Sequence, residues 1–227
     1  MKKISKADLS INELIDLIKE DFLETDNLIK NQITSDVDRI PQLSSHIIDL
    51  GGKRLRPILT IACAKMLNVK NNHHITLAAA VELLHTATLL HDDVVDESNF
   101  RRGKETSHKI WDNKSSILVG DYLLGKAFQL MVKTGSLECL KTLSNAAAII
   151  AEGEVLQLVA INNINIKKND YIKIIESKTA ALFSSACEVG GIISNSPEKI
   201  NKLLFSFGKN LGTSFQLIDD ALDYSGN

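Results

Sequence analysis

The sequence predicts an all-α protein folded as one helical bundle. Prolines are rare, and no run of residues alternates apolar and polar side chains as a half-buried strand would. Long segments instead place apolar residues three and four positions apart, which is the spacing of an amphipathic helix. The 227 residues are enough for one large domain with a sizeable core.

The apolar spacing places eight helices along the chain. They cover residues 9–31, 36–50, 57–68, 76–97, 115–133, 137–158, 170–190 and 197–224. Segments 76–97 and 137–158 are apolar around most of their circumference, so we expect both to be central in the bundle.

Short sequence signals mark several helix ends. Ser196 is a suitable N-cap, and Pro197 suits the first helical position because its missing N–H needs no partner there. Asp170 can cap the start of the helix predicted over residues 170–190, and Gly190 and Gly191 can end it.

Composition excludes several classes of protein. A net charge of -2 argues against nucleic-acid binding, which usually needs a basic excess. The three cysteines, Cys63, Cys139 and Cys187, lie far apart and fit buried thiols in a reducing compartment. The charged first twenty residues do not form a signal peptide, and no stretch reaches the roughly 18 uninterrupted apolar residues of a membrane span. We expect a soluble, cytoplasmic protein.

Two aspartate clusters indicate a metal site. In HDDVVDE, Asp92 and Asp96 lie four residues apart and share one helix face, while Asp93 is rotated by roughly 100°. The same spacing recurs at the end of another apolar run, in a cluster formed by Asp219, Asp220 and Asp223. Stacked carboxylates repel each other, and they suit Mg²⁺, which takes phosphate oxygens as its further ligands.

Two alternatives to a metal site are a solvated helix end and a pair of carboxylates for acid–base catalysis. One DDxxD alone is as often a solvated helix end, but two of them, each after an uncharged helical run, are not. A carboxylate pair for general acid–base catalysis needs neither the repeated spacing nor nearby cations. We therefore expect a metal-bridged diphosphate between two facing helices.

Cationic residues that could bind a diphosphate occur in two places. GGKRLRP places Lys53, Arg54 and Arg56 at the start of a helix, where backbone N–H groups also favour anions. Arg101 and Arg102 follow the first aspartate cluster closely, and arginine can bind phosphate oxygens with two donors. Either cluster alone would more often be a basic surface loop.

Three further polar residues stand out within apolar helices. His85 lies seven residues before Asp92 and so about two turns away on the same side of its helix, although a lone histidine is more often a core residue. Lys178 and Thr179 are unusual because lysine is rarely buried without a partner.

Taken together, these motifs resemble the polyprenyl synthetase family of trans-prenyltransferases over residues 10–227. HDDVVDESNFRRGKET and FQLIDDALDY are similar to its two aspartate-rich motifs, and GGKRLRP, ELLHTATLLHDD, ESKTAALF and a Gly208–Gln216 lead-in occur in the family's order. AEGEVLQL and HTATLLHDDVVDES look most like the bacterial octaprenyl diphosphate synthases of that family.

The resemblance implies a role for each candidate residue. Isopentenyl diphosphate would be bound by Lys53, Arg56, His85 and Arg102. Magnesium would be ligated by Asp92, Asp96, Asp219 and Asp223, with Asp93 and Asp220 supporting these ligands. The allylic diphosphate would be contacted by Arg101, Lys178, Thr179 and Gln216. The resemblance also implies a bundle around a deep central cavity, and a homodimer.

The implied reaction is a Mg²⁺-dependent condensation of isopentenyl diphosphate onto an allylic diphosphate. Loss of the allylic diphosphate leaves a carbocation, which the double bond of isopentenyl diphosphate attacks, and a proton is then lost. The expected product is a long all-trans polyprenyl diphosphate, namely octaprenyl diphosphate, for a quinone side chain.

Product length should depend on residues one turn below the first aspartate cluster. Ala87 and Thr88 are both small, which implies an open shaft, since short-chain members of the family tend to have aromatic residues there. Phe128 and Met131 could form a deeper floor. Ordinary core packing accounts equally well for Phe128 and Met131.

Three other functions compete with this interpretation. The sequence stops four residues after Asp223, whereas the family continues for several helices, so we expect a C-terminally incomplete chain that alone is poorly soluble or inactive. One alternative is therefore a non-catalytic or partner-dependent subunit. Another is a short-chain (farnesyl or geranylgeranyl) synthase. A terpene cyclase is disfavoured because cyclases lack the isopentenyl site implied by Lys53, Arg56 and His85.

Replacing Ala87 with Phe is expected to shorten the product, because an aromatic ring would block the shaft. Sizing the products formed from labelled isopentenyl diphosphate measures this. An unchanged distribution would mean that residue 87 does not line the shaft.

Overall fold

Helices make up nearly all the regular structure in the described part of the chain, residues 11–161 and 163–225 of a computed structural model. The helices are α1 Ile11–Leu17, α2 Lys19–Gln32, α3 Arg39–Asp49, α4 Leu55–Met66, α5 His73–Val95, α6 Ser107–Ile110, α7 Asn113–Lys133, α8 Leu137–Ala160, α9 Lys168–Ile175, α10 Ala181–Ile193 and α11 Glu198–Ser225. A π-helical segment, Glu176–Ala180, joins α9 to α10. Two short antiparallel strands, β1 Phe100–Arg101 and β2 Lys104–Glu105, form a hairpin after α5. The predicted all-α class is confirmed.

Apolar spacing located most helices to within three residues of their ends. The first predicted helix, 9–31, is interrupted at Ile18, which separates α1 from α2, and its residues 9 and 10 lie outside the described residues. The segment predicted as 170–190 contains α9, the π-helical segment and α10 in succession. The one-turn α6 and the hairpin carry no periodic signal and were not predicted.

The predicted positions of the two most apolar helices are half right. α5 is central, and leucines and alanines on several of its sides are fully buried. α8 is not central within the described residues, because it buries only one stripe and leaves Leu137, Val155 and Val159 well exposed. Within the described residues, α8 alone is long and apolar enough to span a membrane by length and composition.

The predicted helix ends need three corrections. α11 begins at Glu198, one residue later than expected, and the Ser196 hydroxyl donates to Oδ1 of Asn201 at 2.5 Å. Asp170 lies in the first turn of α9 and is not its cap. Gly190 and Gly191 lie inside α10, where a Cβ on Gly190 would come within 2.7 Å of the Thr60 carbonyl oxygen, so these glycines permit close helix packing.

Two glycines on α11 bring that helix against α10 and the π-helical segment. The buried side of α11 consists of Asn201, Leu204, Gly208 and Gly212. A Cβ on Gly208 would overlap the carbonyl oxygen of Phe183, and one on Gly212 would lie 2.7 Å from the Ala180 Cα. This backbone contact places the second aspartate cluster, which lies about two to four turns further along α11.

Replacing Gly208 with Ala is expected to lower the free energy of unfolding by about 1–3 kcal/mol, because the added methyl group forces two backbones apart. Chemical denaturation measures the change. Gly125 is the matched control, since it lies in α7 with nothing within 4 Å of an added Cβ. Gly125→Ala should be neutral or stabilising by up to about 1 kcal/mol. Equal losses in both variants would contradict the packing role of Gly208.

Candidate active site

A cavity of about 630 Å³ lies between the loop preceding α4, the middle of α5, the hairpin and the end of α11. Its lining contains all four residues that the sequence assigns to isopentenyl diphosphate, Lys53, Arg56, His85 and Arg102. Asp219 of the second aspartate cluster also lines it. The apolar part of the wall includes Leu89, Phe183, Phe215 and Leu222. The cavity therefore combines a cationic wall, a carboxylate and an apolar surface.

Arg56 and His85 form the buried centre of the cationic wall. Nη1 of Arg56 lies 3.0 Å from Nε2 of His85, and its guanidinium lies over the Phe183 ring at 4.5 Å from the centroid. Burial lowers the pKa of Arg56 to about 10, although Glu82 opposes this shift. Burial, reinforced by neighbouring arginines, holds the pKa of His85 well below its usual value. His85 is therefore neutral, and since its Nε2 accepts from Arg56, its proton lies on Nδ1.

Two partly buried acidic residues that were not predicted, Glu82 and Asp26, balance these cations. Arg54 adopts a left-handed conformation with a φ of 45° at the start of α4, and it lies 3.5 Å from Asp26 and 3.8 Å from Glu82. Burial raises the pKa of Glu82, while Arg54 and Arg56 oppose the shift. Glu82 precedes His85 by three residues and so shares its helix face, which was the available signal. Asp26 lies on α2, and no local spacing indicates it.

The hairpin is attached to α5 by a buried ion pair. Nε and Nη2 of Arg101 lie 2.9 and 2.8 Å from Oδ1 of Asp93, whose side chain is only 2% exposed. Arg102, with a φ of 52°, extends its guanidinium against Gly52, where a Cβ would lie 2.6 Å from Nη1. Thus Asp93 and Arg101 form a structural contact that positions Arg102 in the cavity wall.

The other aspartates of the first cluster lie beside Lys178 and Glu154, a further carboxylate that was not predicted. Nζ of Lys178 lies 2.9 Å from Oε2 of Glu154 on α8 and 4.0 Å from Oδ2 of Asp92. Burial, together with Glu154 and Asp96, raises the pKa of Asp92 to about 7 despite Lys178. Burial lowers the pKa of Lys178, but Asp92 and Glu154 outweigh it and raise the pKa overall. Gly153 brings α8 close to Lys178, since a Cβ there would lie 3.0 Å from the lysine backbone nitrogen.

A chain of hydrogen bonds connects the π-helical segment to the second cluster. The Thr179 hydroxyl donates to Oε1 of Gln216 at 2.7 Å, and Nε2 of Gln216 donates to Oδ1 of Asp220 at 2.7 Å. The hydroxyl of Tyr171, on α9, donates to Oδ2 of Asp220. This hydrogen bond raises the pKa of Tyr171 to about 12, so the phenol stays protonated near neutral pH. Tyr171 carried no signal in the sequence because its partner lies 49 residues away.

The residues predicted to hold magnesium suit a divalent cation but do not form a closed metal cage. No group of three or more acidic, histidine or cysteine side chains converges among the described residues. Asp92, Asp96 and Glu154 accumulate negative charge in a partly buried position, and Oε1 of Glu154 has no hydrogen-bond donor within the described chain. Such a donor set fits Mg²⁺, which typically takes one or two carboxylates and completes its shell with water and phosphate oxygens.

The predicted chain-length residues lie in the main hydrophobic core. Ala87 and Met131 are buried there, and Phe128 packs against the same cluster. Thr88 is partly buried and donates from its hydroxyl to the His85 carbonyl oxygen at 2.8 Å. None of these four lines the cavity described above, which is bordered on this side of α5 by Thr86 and Leu89.

Comparison with known proteins shows the class to which this fold and site belong. The family model for polyprenyl synthetase matches residues 37–227, so the chain belongs to the polyprenyl synthetase family, whose members are prenyltransferases. The chain is 44% identical to octaprenyl diphosphate synthase from Escherichia coli (strain K12), over 96% of this chain and 68% of that protein.

Solved structures agree with this assignment. A decaprenyl diphosphate synthase from Rhodobacter capsulatus is 51% identical with a TM-score of 0.92, covering 94% of this chain and 66% of the other. A polyprenyl synthase from Caulobacter crescentus CB15, complexed with calcium and isoprenyl diphosphate, is 48% identical with a TM-score of 0.94, covering 95% and 66%. The chain thus spans about two thirds of the length of these relatives.

Replacing Arg56 with Lys is expected to weaken binding of isopentenyl diphosphate about tenfold. Lysine cannot donate to His85, stack on Phe183 and contact an anion at once, as the planar guanidinium can. Isothermal titration measures the affinity. Arg39→Lys is the control, because Arg39 is exposed and makes only a 4.0 Å surface pair with Asp112. Affinity unchanged by Arg56→Lys would remove Arg56 from the binding site.

Proposed function

We propose that this chain carries the catalytic site of a trans-prenyltransferase that condenses isopentenyl diphosphate onto an allylic diphosphate such as farnesyl diphosphate. The observation that carries the proposal is a single cavity whose lining contains four cationic or histidine residues and one carboxylate. These residues are Lys53, Arg56, His85, Arg102 and Asp219. A cationic wall suits a diphosphate that binds without metal, and an opposing carboxylate suits one that binds through metal. Membership of the polyprenyl synthetase family supports the same reaction.

The cationic wall would hold isopentenyl diphosphate in place. Lys53, Arg56 and Arg102 supply positive charge, and neutral His85 can donate from Nδ1 to a phosphate oxygen because its Nε2 is occupied by Arg56. Phe183 and Phe215, whose ring centroids lie 5.6 Å apart, contribute an apolar surface that excludes water from a carbocation. This arrangement orients the double bond of isopentenyl diphosphate towards the allylic substrate.

The allylic diphosphate would bind at the two aspartate clusters. Asp92, Asp96, Asp219 and Asp223 would hold Mg²⁺, which when bound neutralises charge that develops on the departing diphosphate. Lys178, kept charged by Glu154 and Asp92, adds a fixed cation to this side of the site, and Thr179 and Gln216 supply polar contacts. Arg101 contributes through Asp93, by positioning the hairpin.

We further propose a long-chain product, octaprenyl diphosphate, made in the cytoplasm for a quinone side chain. Support comes from the long-chain products in the names of two similar proteins and from the small side chain of Ala87. To make such a product, the growing prenyl chain must extend beyond Thr86 and Leu89 into the space between α5 and α7. Met131 and Phe128 now fill that space.

A second possibility is that the chain functions only with a partner or a further segment. Exposed apolar side chains outside the cavity lining lie along α11, at Leu203, Phe207 and Leu217, and the chain spans about two thirds of its relatives' length. Contiguous apolar surface of this kind marks an interaction site. The exposed apolar side of α8 supports a homodimer in the same way.

Replacing Asp92 with Asn is expected to weaken Mg²⁺-dependent binding of farnesyl diphosphate at least about tenfold, because a metal ligand loses its charge. Binding of isopentenyl diphosphate should stay within about twofold, since Asp92 does not line its cavity. Titrations of both substrates, with and without Mg²⁺, measure this. Asp36→Asn, at an exposed aspartate between α2 and α3, is the control.

The outcomes distinguish the two functional possibilities. Binding of both diphosphates, followed by turnover to a product that sizes as octaprenyl, supports the proposed enzyme. Binding without turnover favours the partner-dependent chain. Failure of the wild-type chain to bind either substrate contradicts the proposed function, and a dominant farnesyl or geranylgeranyl product contradicts the long-chain assignment.

A further inference from the structure

Asp220 is the point at which α9, the π-helical segment and α11 are joined by polar side chains. Its Oδ1 accepts from Gln216 at 2.7 Å, and its Oδ2 accepts from the hydroxyl of Tyr171. Gln216 is itself held by Thr179 at 2.7 Å. Both oxygens of this carboxylate are therefore occupied by protein donors.

The two donors to Asp220 have different consequences. Gln216 lies four residues earlier on α11, so its hydrogen bond to Asp220 stays within one helix, and it connects α11 to the π-helical segment only through Thr179. Tyr171 belongs to α9, which leads directly into the segment that carries Lys178 and Thr179. The Tyr171 hydroxyl therefore ties the carboxylate end of α11 to the element that presents the lysine. Two further polar contacts join these elements among the described residues: Thr179 donates to Gln216 at 2.7 Å, and Lys209 lies 2.9 Å from Glu176 in a partly exposed position about three turns before Asp220.

We infer that Tyr171 is a positioning residue for the second aspartate cluster, a role that rests on the proposed function. By engaging Oδ2 of Asp220, it holds the end of α11 in the rotation that directs Asp219 into the cavity. It also separates the roles of the adjacent aspartates. Asp220 orients the helix through hydrogen bonds, while Asp219 remains the carboxylate that faces the substrates.

The inference is tested by Tyr171→Phe, which removes one hydroxyl and keeps the ring. The Mg²⁺ concentration for half-maximal binding of farnesyl diphosphate should rise about fivefold, while the affinity for isopentenyl diphosphate stays within about twofold. Tyr122→Phe is the matched control, because the Tyr122 hydroxyl donates to the Thr34 carbonyl at 3.1 Å, away from both clusters. It should leave both affinities unchanged.

A double-mutant cycle with Asp220→Ala, which removes both acceptor oxygens, separates positioning from a general loss of stability. Tyr171→Phe should reduce the folding equilibrium constant about fivefold in the wild-type background and less than about twofold in the Asp220→Ala background. Equal reductions in both backgrounds, or a Mg²⁺ requirement that Tyr171→Phe does not change, would overturn the inference. A wild-type chain without Mg²⁺-dependent binding would overturn the proposed function as well, and the cycle would still report on the contact.

Discussion

The buried ion pair between Asp93 and Arg101 connects the two halves of this site. Burying either charge alone would be strongly unfavourable, so each residue is fixed by the other. Asp93 lies between Asp92 and Asp96 in the sequence, and Arg101 precedes Arg102, which lines the cavity. One contact therefore determines how far the acidic end of α5 lies from the cationic wall.

Charge on each side of the site is held in place by residues of opposite sign. On the cationic side, Glu82 and Asp26 lie near Arg54 and limit repulsion among the arginines. On the acidic side, Lys178 lies between Glu154 and Asp92. The balance is incomplete on both sides: burial and then the arginines lower the pKa of His85, and burial together with Glu154 and Asp96 raises the pKa of Asp92. A diphosphate and a divalent cation would complete it.

Local spacing predicted what depends on a single helix. The i, i+4 aspartates and the helix that carries His85 follow from the periodicity of α5 and α11. What spacing could not give was contact between distant segments. Glu154 lies 24 residues from Lys178, and Tyr171 lies 49 from Asp220. The predicted central position of α8 was wrong for a related reason. Apolar composition does not distinguish a helix buried on all sides from one that leaves an apolar side exposed.

The π-helical segment makes the site sensitive to residue count. A π turn contains one residue more than the α turn it replaces, and Lys178 and Thr179 both lie within it. Loss of a single residue there would allow a regular α-helix and would rotate α9 by roughly 100° relative to α10. Three side chains would then face different neighbours: Lys178, Thr179 and Tyr171. The segment therefore depends on its length as well as on its residue types, because Lys178 and Thr179 keep their present directions only while the π turn is there.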